Sequence, residues 1–390
     1  MSQPKSKLLD ILLSSPAGQV ASLPTPDIGA AQVEPFPFLA IVNQYEMKLA
    51  LVLSLINPLV GGVLLIGPRG TAKTTAVRSL ADLLPHTRRS LCAYGCTEEM
   101  IETYGMDGVC KDCAEKFGYG EPLTVEDKVR IFELPLNARL DDVVGGINER
   151  LALEQNKVRL ERGILGHADG HILYIDEVNL LDDTITDAIL DAAAQGHYTV
   201  RRGPLKMTYQ ARIMLIGSMN PEEGKLRPQL MDRFGLRAIV RGLEEPELRY
   251  QAYERALAYK QRPELFAASY AAATLALAED IQQARDRLPQ VTIQPEAQAL
   301  GLELVASLQI DSNRAEITLF EAARAHAAAD ERGTVTPADV EAVAMLALRL
   351  RQSPHLTQFF AEQAAEDEKM RAVFAKMGSE RGWGSEGVRE

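Results

Sequence analysis

The sequence predicts an α/β fold, a parallel sheet flanked by helices around a phosphate-binding loop, followed by a small all-α domain. Three observations carry that expectation. Val63-Leu64-Leu65-Ile66, a short run of strand formers, leads straight into Gly67-Pro68-Arg69-Gly70-Thr71-Ala72-Lys73-Thr74 and a helical pattern running to Leu84. His171-Ile172-Leu173-Tyr174-Ile175 reads as a second buried strand, ending in Asp176-Glu177. From Pro263 onward the chain turns alanine-rich and helical, with few strand formers.

A length of 390 residues suits two or three domains. Hydrophobic residues at 46% and charged residues at 25% are ordinary for a globular protein and exclude wholesale disorder or a fibrous chain. With 42 basic against 54 acidic side chains the net charge is −12, which argues against a surface built to grip nucleic acid or anionic lipid. Near the start, Asp10 interrupts the apolar stretch Leu8-Leu9-Asp10-Ile11-Leu12, so no export signal is expected. The uncharged run from Leu49 to Pro68 is long enough to cross a bilayer, but Asn57-Pro58 and Gly61-Gly62 break it into a buried helix, a turn and a buried strand. A cytoplasmic protein with no membrane contact is expected.

Each residue type in the glycine loop has a physical task. Along Gly67, Pro68, Arg69, Gly70, Thr71, Ala72, Lys73, Thr74 and Thr75 the backbone N–H groups, which every residue but Pro68 supplies, would converge on phosphate oxygens with the positive end of the following helix. Lys73 would reach the β and γ phosphates of ATP, and the Thr74 hydroxyl would coordinate Mg²⁺. Ala72 replaces the usual glycine before the lysine, which is tolerable only where no positive φ is needed. At the carboxyl end of the second strand, Asp176 would hold the Mg²⁺ and Glu177 would polarise the attacking water.

These residues resemble the AAA+ ATPases of the chelatase and MoxR branch, and within it the ATPase subunit I of magnesium chelatase, over roughly Phe36 to Leu350. The most specific strings are Ile41-Val42-Asn43-Gln44-Tyr45-Glu46-Met47-Lys48-Leu49-Ala50-Leu51, Ile172 through Asp183, and Asn220-Pro221-Glu222-Glu223-Gly224-Lys225-Leu226-Arg227-Pro228-Gln229-Leu230-Met231-Asp232-Arg233-Phe234. The resemblance implies an AAA+ P-loop core with an all-α lid, and further roles at matching positions. Asn220, ending the apolar run from Ile213, matches sensor 1. Arg233 matches the arginine finger that reaches a neighbouring subunit's nucleotide, and Arg227 is a second trans-acting candidate. Arg314 matches sensor 2, a lid arginine contacting the phosphates of its own chain. A finger acting in trans requires head-to-tail contacts that close into a ring, expected to be a hexamer.

The resulting division places a tail at 1–34, the nucleotide-binding core at 35–245, a linker at 246–262, the helical lid at 263–352 and a second tail at 353–390. Two inserts interrupt the core, one carrying all four cysteines at about 86–122 and one at about 135–170 that resembles the family's insertion in the second helix. Tyr198 to Tyr209 reads as a hairpin whose Arg201, Arg202 and Lys206 form a solvated face rather than a nucleic-acid contact. Cys92-x₃-Cys96 and Cys110-x₂-Cys113 have the spacing of a zinc site, and a structural zinc, an iron–sulfur cluster, redox-active disulfides and unrelated thiols all remain open. The family does not vouch for this cluster. In the lid, Thr336-Pro337-Ala338-Asp339 begins a helix whose Val340, Val343, Ala347 and Leu350 form a packing stripe.

By resemblance the chain would be a ring-forming ATPase that works with D-type and H-type chelatase subunits to insert Mg²⁺ into protoporphyrin IX in chlorophyll or bacteriochlorophyll synthesis. A MoxR-type remodelling ATPase and a cobalt-chelatase motor are the alternatives, and a zinc-containing nucleic-acid module is a more distant one.

Overall fold

The computed structural model describes residues 34–84, 86–92, 94–147, 160–203, 205–224 and 228–351, together with Leu12 and residues 369–370. Nine strands are used below, in chain order: β1 (Val63–Ile66), β2 (His86–Ser90), β3 (Thr124–Lys128), β4 (Ile131–Leu134), β5 (Ile172–Ile175), β6 (His197–Arg202), β7 (Leu205–Gln210), β8 (Met214–Met219) and β9 (Leu236–Ile239). Five of them form the central sheet in the order β4-β5-β8-β1-β9. All its pairings are parallel. β1 and β5 are buried along their whole length, as uninterrupted apolar strings in a sheet covered on both faces must be.

The helix Tyr45–Ile56 covers one face of this sheet, with every residue from Met47 to Ile56 buried. Its burial explains the uncharged stretch that begins at Leu49: one side meets the sheet and the other meets the lid. Between it and β1, Pro58–Val60 forms a single 3₁₀ turn, capped by the Asn57 side chain accepting from the Leu59 N–H at 3.1 Å. The P-loop helix is α-helical only over Lys73–Arg78 and tightens to 3₁₀ over Ser79–Leu83, shorter and less regular than the expected run to Leu84. The expected hairpin is formed by β6 and β7, paired antiparallel from His197 opposite Gln210 to Arg202 opposite Leu205.

Two expectations need correction. Residues 246–262, read as a linker, form a regular helix over Pro246–Gln261, started by a proline at its first turn and followed directly by the helix Pro263–Arg287. Leu350 does not belong to the lid's packing stripe. The last lid helix ends at Leu348, and Leu350 lies beyond it with φ +59° and is exposed, whereas Val340, Val343 and Ala347 are buried as expected.

The lid docks on the back of the core. Its helix Arg314–Ala329 presents Ala315, Leu319, Ala322 and Ala323 to the interior, and side chains this small let it approach the Tyr45–Ile56 helix closely. Polar clamps fix the contact. Asn57 donates to the Glu321 carboxylate at 2.6 Å, Arg349 grips the Glu46 carboxylate at 2.8 and 3.2 Å, and the buried Arg237 donates to the Arg349 carbonyl at 2.7 Å.

Within the lid one buried carboxylate organises a turn. Asp339 is fully buried and accepts from the Thr336 N–H and hydroxyl, both at 2.8 Å, closing the capping box; it also pairs with Arg332 and lies 2.7 Å from His326 Nδ1. Burial alone would raise its pKa, but Arg332, His326 and Thr336 outweigh it and hold the carboxyl far below the usual carboxylate range. A depressed folded-state pKa gives stability that is present above the unfolded value, near ~3.9, and lost as pH falls below it. Asp339→Ala should therefore cost about 3 kcal/mol at neutral pH, read by urea unfolding, because a buried charged partner is removed from a satisfied network. The deficit should shrink steadily below about pH 4. A deficit that is constant with pH would show that the carboxylate's charge is not what stabilises the turn.

Candidate functional site

The carboxyl ends of β1, β5 and β8 lie side by side, and the loops leaving them make the site. Gly67 is required by packing, since a Cβ there would lie 2.0 Å from the Val240 carbonyl oxygen just past β9. Its N–H donates to the Met219 carbonyl at 3.1 Å, tying the loop to β8. The loop then turns through Gly70 at φ +78° and Ala72 at φ +66°. Ala72 thus adopts the left-handed conformation that the expectation for this position excluded. The loop must turn so to aim the first N–H groups of the helix inward, and here an alanine bears the steric cost that glycine would avoid.

Lys73 is 9% exposed, and its ammonium donates to the Gly67 and Pro68 carbonyls at 2.7 and 2.8 Å. Burial lowers its pKa from the usual lysine value, against the opposing pull of Asp176, Glu223 and Glu177. The Thr74 hydroxyl donates to Asp176 Oδ2 at 3.0 Å, which joins the P-loop helix to the end of β5. Two hard oxygen donors meeting at the mouth of a phosphate loop suit Mg²⁺.

Asp176 accepts from two further hydroxyls. Tyr174 donates to Oδ1 at 2.9 Å and Ser218 donates to the same oxygen. Burial would raise the pKa of Asp176, but the Ser218, Tyr174 and Thr74 hydroxyls together lower it, so the carboxylate is held ionised. Glu177 follows with φ +51°, its N–H donating to Ser218 Oγ at 3.2 Å and its carboxylate accepting from Arg69 at 3.2 Å. Arg69 also pairs with Glu223. Asn220 is 3% exposed at the end of β8, and its side chain accepts from the Glu222 N–H at 3.3 Å.

Lys73, Thr74, Asp176, Glu177, Ser218 and Asn220 line one cavity of about 200 Å³. A larger cavity of about 750 Å³ adjoins it across the residues Arg69–Ala72 and Thr75, with Phe36, Ile41, Val42 and Tyr259 among its apolar walls. That is room for a nucleoside beside a polyphosphate. Arg249, Ala252, Ala256 and Tyr259 come from the helix in place of the expected linker.

The structure brings the loop, Asp176, Glu177 and Asn220 together, and separates them from the two arginines. Arg233 and Arg314 line a different recess of about 400 Å³ with Asp187, Asp191 and Asp232, and it shares no residue with the P-loop cavity. There Arg233 pairs with Asp191 at 3.4 Å and Arg314 with Asp232 at 3.1 Å. Arg314, expected to contact the phosphates of its own chain, lies outside the P-loop cavity: the lid's docking sets the start of the Arg314–Ala329 helix in the recess of Arg233. Arg227 lies outside the described residues. Tyr174 and Ser218 were missed. The available signal was periodicity, since each is a polar group two residues before a site residue, on an otherwise apolar strand.

Known proteins share this fold and much of this sequence. Residues 298–373 match the AAA lid domain family and residues 150–239 match the MCM P-loop domain family. The magnesium-chelatase subunit ChlI homolog of Methanocaldococcus jannaschii is 42% identical over 322 residues, which are 82% of this chain and 86% of that protein. The magnesium-chelatase subunit ChlI of Synechocystis is 42% identical over 326 residues, covering 82% of this chain and 89% of the relative. A solved structure from Cytophaga hutchinsonii, 18% identical, covers 80% of this chain and 83% of its own at a TM-score of 0.50, a likeness of fold.

The strained alanine yields a test. Ala72→Gly should stabilise the fold by about 0.5–1 kcal/mol in thermal unfolding, because relief of a left-handed residue exceeds the added entropy of the unfolded chain. Destabilisation by glycine would show that the position is not left-handed in solution.

Proposed function

The chain belongs to the magnesium-chelatase subunit ChlI family of AAA+ ATPases, and from that premise we propose that it is the ring-forming motor whose ATP hydrolysis drives a chelatase to insert Mg²⁺ into protoporphyrin IX. The observation that carries the reading is the Thr74–Asp176–Ser218 cluster set beside Lys73 and Glu177. In this reading the loop N–H groups and Lys73 bind the β and γ phosphates, exchanging the lysine's carbonyl partners for phosphate oxygens. Thr74 and Asp176 hold the Mg²⁺ that accompanies ATP, which supplies positive charge to the phosphates. Glu177 orients and polarises the attacking water, and Asn220 helps to place it. The nucleoside occupies the adjoining cavity walled by Phe36 and Tyr259.

Arg233 and Arg314 complete the site from the neighbouring copy. Their recess shares no residue with the P-loop cavity of their own chain, and their acidic partners hold them only through partly exposed ion pairs, weak enough to be given up to a phosphate. A site divided in this way fits a closed head-to-tail ring, for which we propose six copies. D-type and H-type subunits are its partners in this scheme, the porphyrin resting on the large one, in an early step of chlorophyll or bacteriochlorophyll synthesis.

The direct test is reconstitution of the full chain with D-type and H-type subunits, ATP, Mg²⁺ and protoporphyrin IX, read by the fluorescence of Mg-porphyrin. Product should form. Lys73→Ala and Glu177→Gln should each lower ATP turnover by at least about 100-fold, with Glu177→Gln still retaining ATP. Absence of product with active partners would remove the chelatase role, and full turnover in Glu177→Gln would remove that residue from its task.

The divided site has its own test. Lys73→Ala and Arg233→Ala should each be inactive alone, yet an equimolar mixture should recover about a quarter of the wild-type ATPase rate, the fraction of junctions joining an intact loop to an intact arginine. A mixture as inactive as its components would place the arginine outside the neighbour's site.

A further inference from the structure

The insert between β2 and β3 folds around sulfur. From Leu91 to Leu123 the buried side chains among the described residues are Cys96, Thr97, Cys113 and Leu123, and the only satellite core there is those two cysteines and the leucine, fringed by the half-buried Cys92, Tyr94, Ile101, Val109 and Cys110. Its helices, Glu98–Tyr104 and Lys111–Gly118, are too short to hold their shape unaided. Burying one leucine fully and Tyr94, Ile101 and Val109 in part cannot offset the chain entropy of ordering such a segment. Small folds in this position rely on a staple.

The sulfurs are placed for one. The Sγ atoms of Cys92, Cys96, Cys110 and Cys113 all lie within 4.8 Å of one another, and none is in a disulfide. Four thiolates at tetrahedral Zn–S distances sit about 3.8 Å apart, whereas an iron–sulfur cluster seated between them would hold them wider. The backbone already points at these sulfurs. The N–H groups of Tyr94 and Cys96 donate to Cys92 Sγ, each at 3.4 Å, the Cys110 N–H donates to Cys96 Sγ at 3.3 Å, and the Ser90 hydroxyl lies 3.6 Å from Cys92 Sγ. Donors in that arrangement spread the negative charge that four thiolates retain around a divalent ion. No basic side chain donates to any of the four sulfurs among the described residues.

We propose that Cys92, Cys96, Cys110 and Cys113 hold one zinc ion as a tetrathiolate, and that this ion braces the hairpin of β6 and β7 ahead of the sensor strand β8. Binding displaces the thiol protons to solvent and involves no change of oxidation state. The turn between the first two ligands makes the contact. Tyr94 stacks on Tyr209 of the hairpin with ring centroids 6.1 Å apart. Gly95, at φ +76°, lies so close to Gln210 that a Cβ would come within 2.8 Å of that side chain. β7 runs on through Ala211 into β8, which carries Ser218 and ends just before Asn220.

The experiment uses the full chain, purified without a polyhistidine tag, chelator or added metal. Elemental analysis should find about one zinc per chain and negligible iron, and titration of the thiols with a mercurial should release it in a single step, followed with a metallochromic dye. Cys113→Ser and Cys96→Ser should each lower the zinc retained after dialysis against chelator by at least about tenfold. Removing zinc from the wild-type protein should speed hydrogen exchange in β6 and β7, and Tyr94→Ala should do the same while keeping its zinc. Protein with neither metal, with iron in place of zinc, or with zinc undiminished in both serine variants would overturn the site. Unchanged exchange in the hairpin after zinc removal would overturn the brace.

Discussion

One carboxylate holds the nucleotide site together. Asp176 accepts hydroxyl donors from three elements at once: Thr74 from the P-loop helix, Tyr174 from its own strand and Ser218 from β8. The strand order makes this convergence possible, because β8 lies between β5 and β1 and all three end at the same edge. An ionised group in a half-buried place must be satisfied, and satisfying it here fixes the spacing between the loop that would hold phosphate and the glutamate that would act on water. Glu177 then depends on the same serine, since its N–H is anchored to Ser218 Oγ.

The lid sets the second constraint. Its alanine-rich helix packs on the buried helix Tyr45–Ile56, and the clamps at Asn57, Glu46 and Arg237 fix it there. That docking carries Arg314 into the recess of Arg233, which shares no residue with the cavity of Lys73. A protomer so built keeps its binding loop and the two arginines in separate recesses. Under the proposed function, association between copies would then be part of the chemistry rather than an addition to it.

Much of this was legible in the chain. β1, the loop, β5 with its acid pair, the β6–β7 hairpin and the Thr336 cap are local patterns, and each is found where its residues place it. What sequence could not supply depended on packing between distant segments. The left-handed φ of Ala72 reflects the tight turn into the helix, which overrides the preference of an alanine. The position of Arg314 follows from docking between domains, about which a motif says nothing. The 246–262 segment lacks a strong apolar stripe and so reads as a connector, yet as a helix it walls the larger cavity. Tyr174 and Ser218 sit inside apolar strings where a lone hydroxyl draws no notice until its partner is known.

The cysteine-bearing insert leaves and rejoins the core through β2 and β3, an antiparallel pair in which Ser90 lies opposite Thr124. Its two ends are therefore neighbours, and the excursion is topologically a side branch. Nothing in the central sheet is threaded through it, so a tight reverse turn could seal the stalk in its place. Such an attachment lets the branch change in length without breaking the central sheet, so that it bears on the core through its side-on contact with the hairpin at Tyr209 and Gln210.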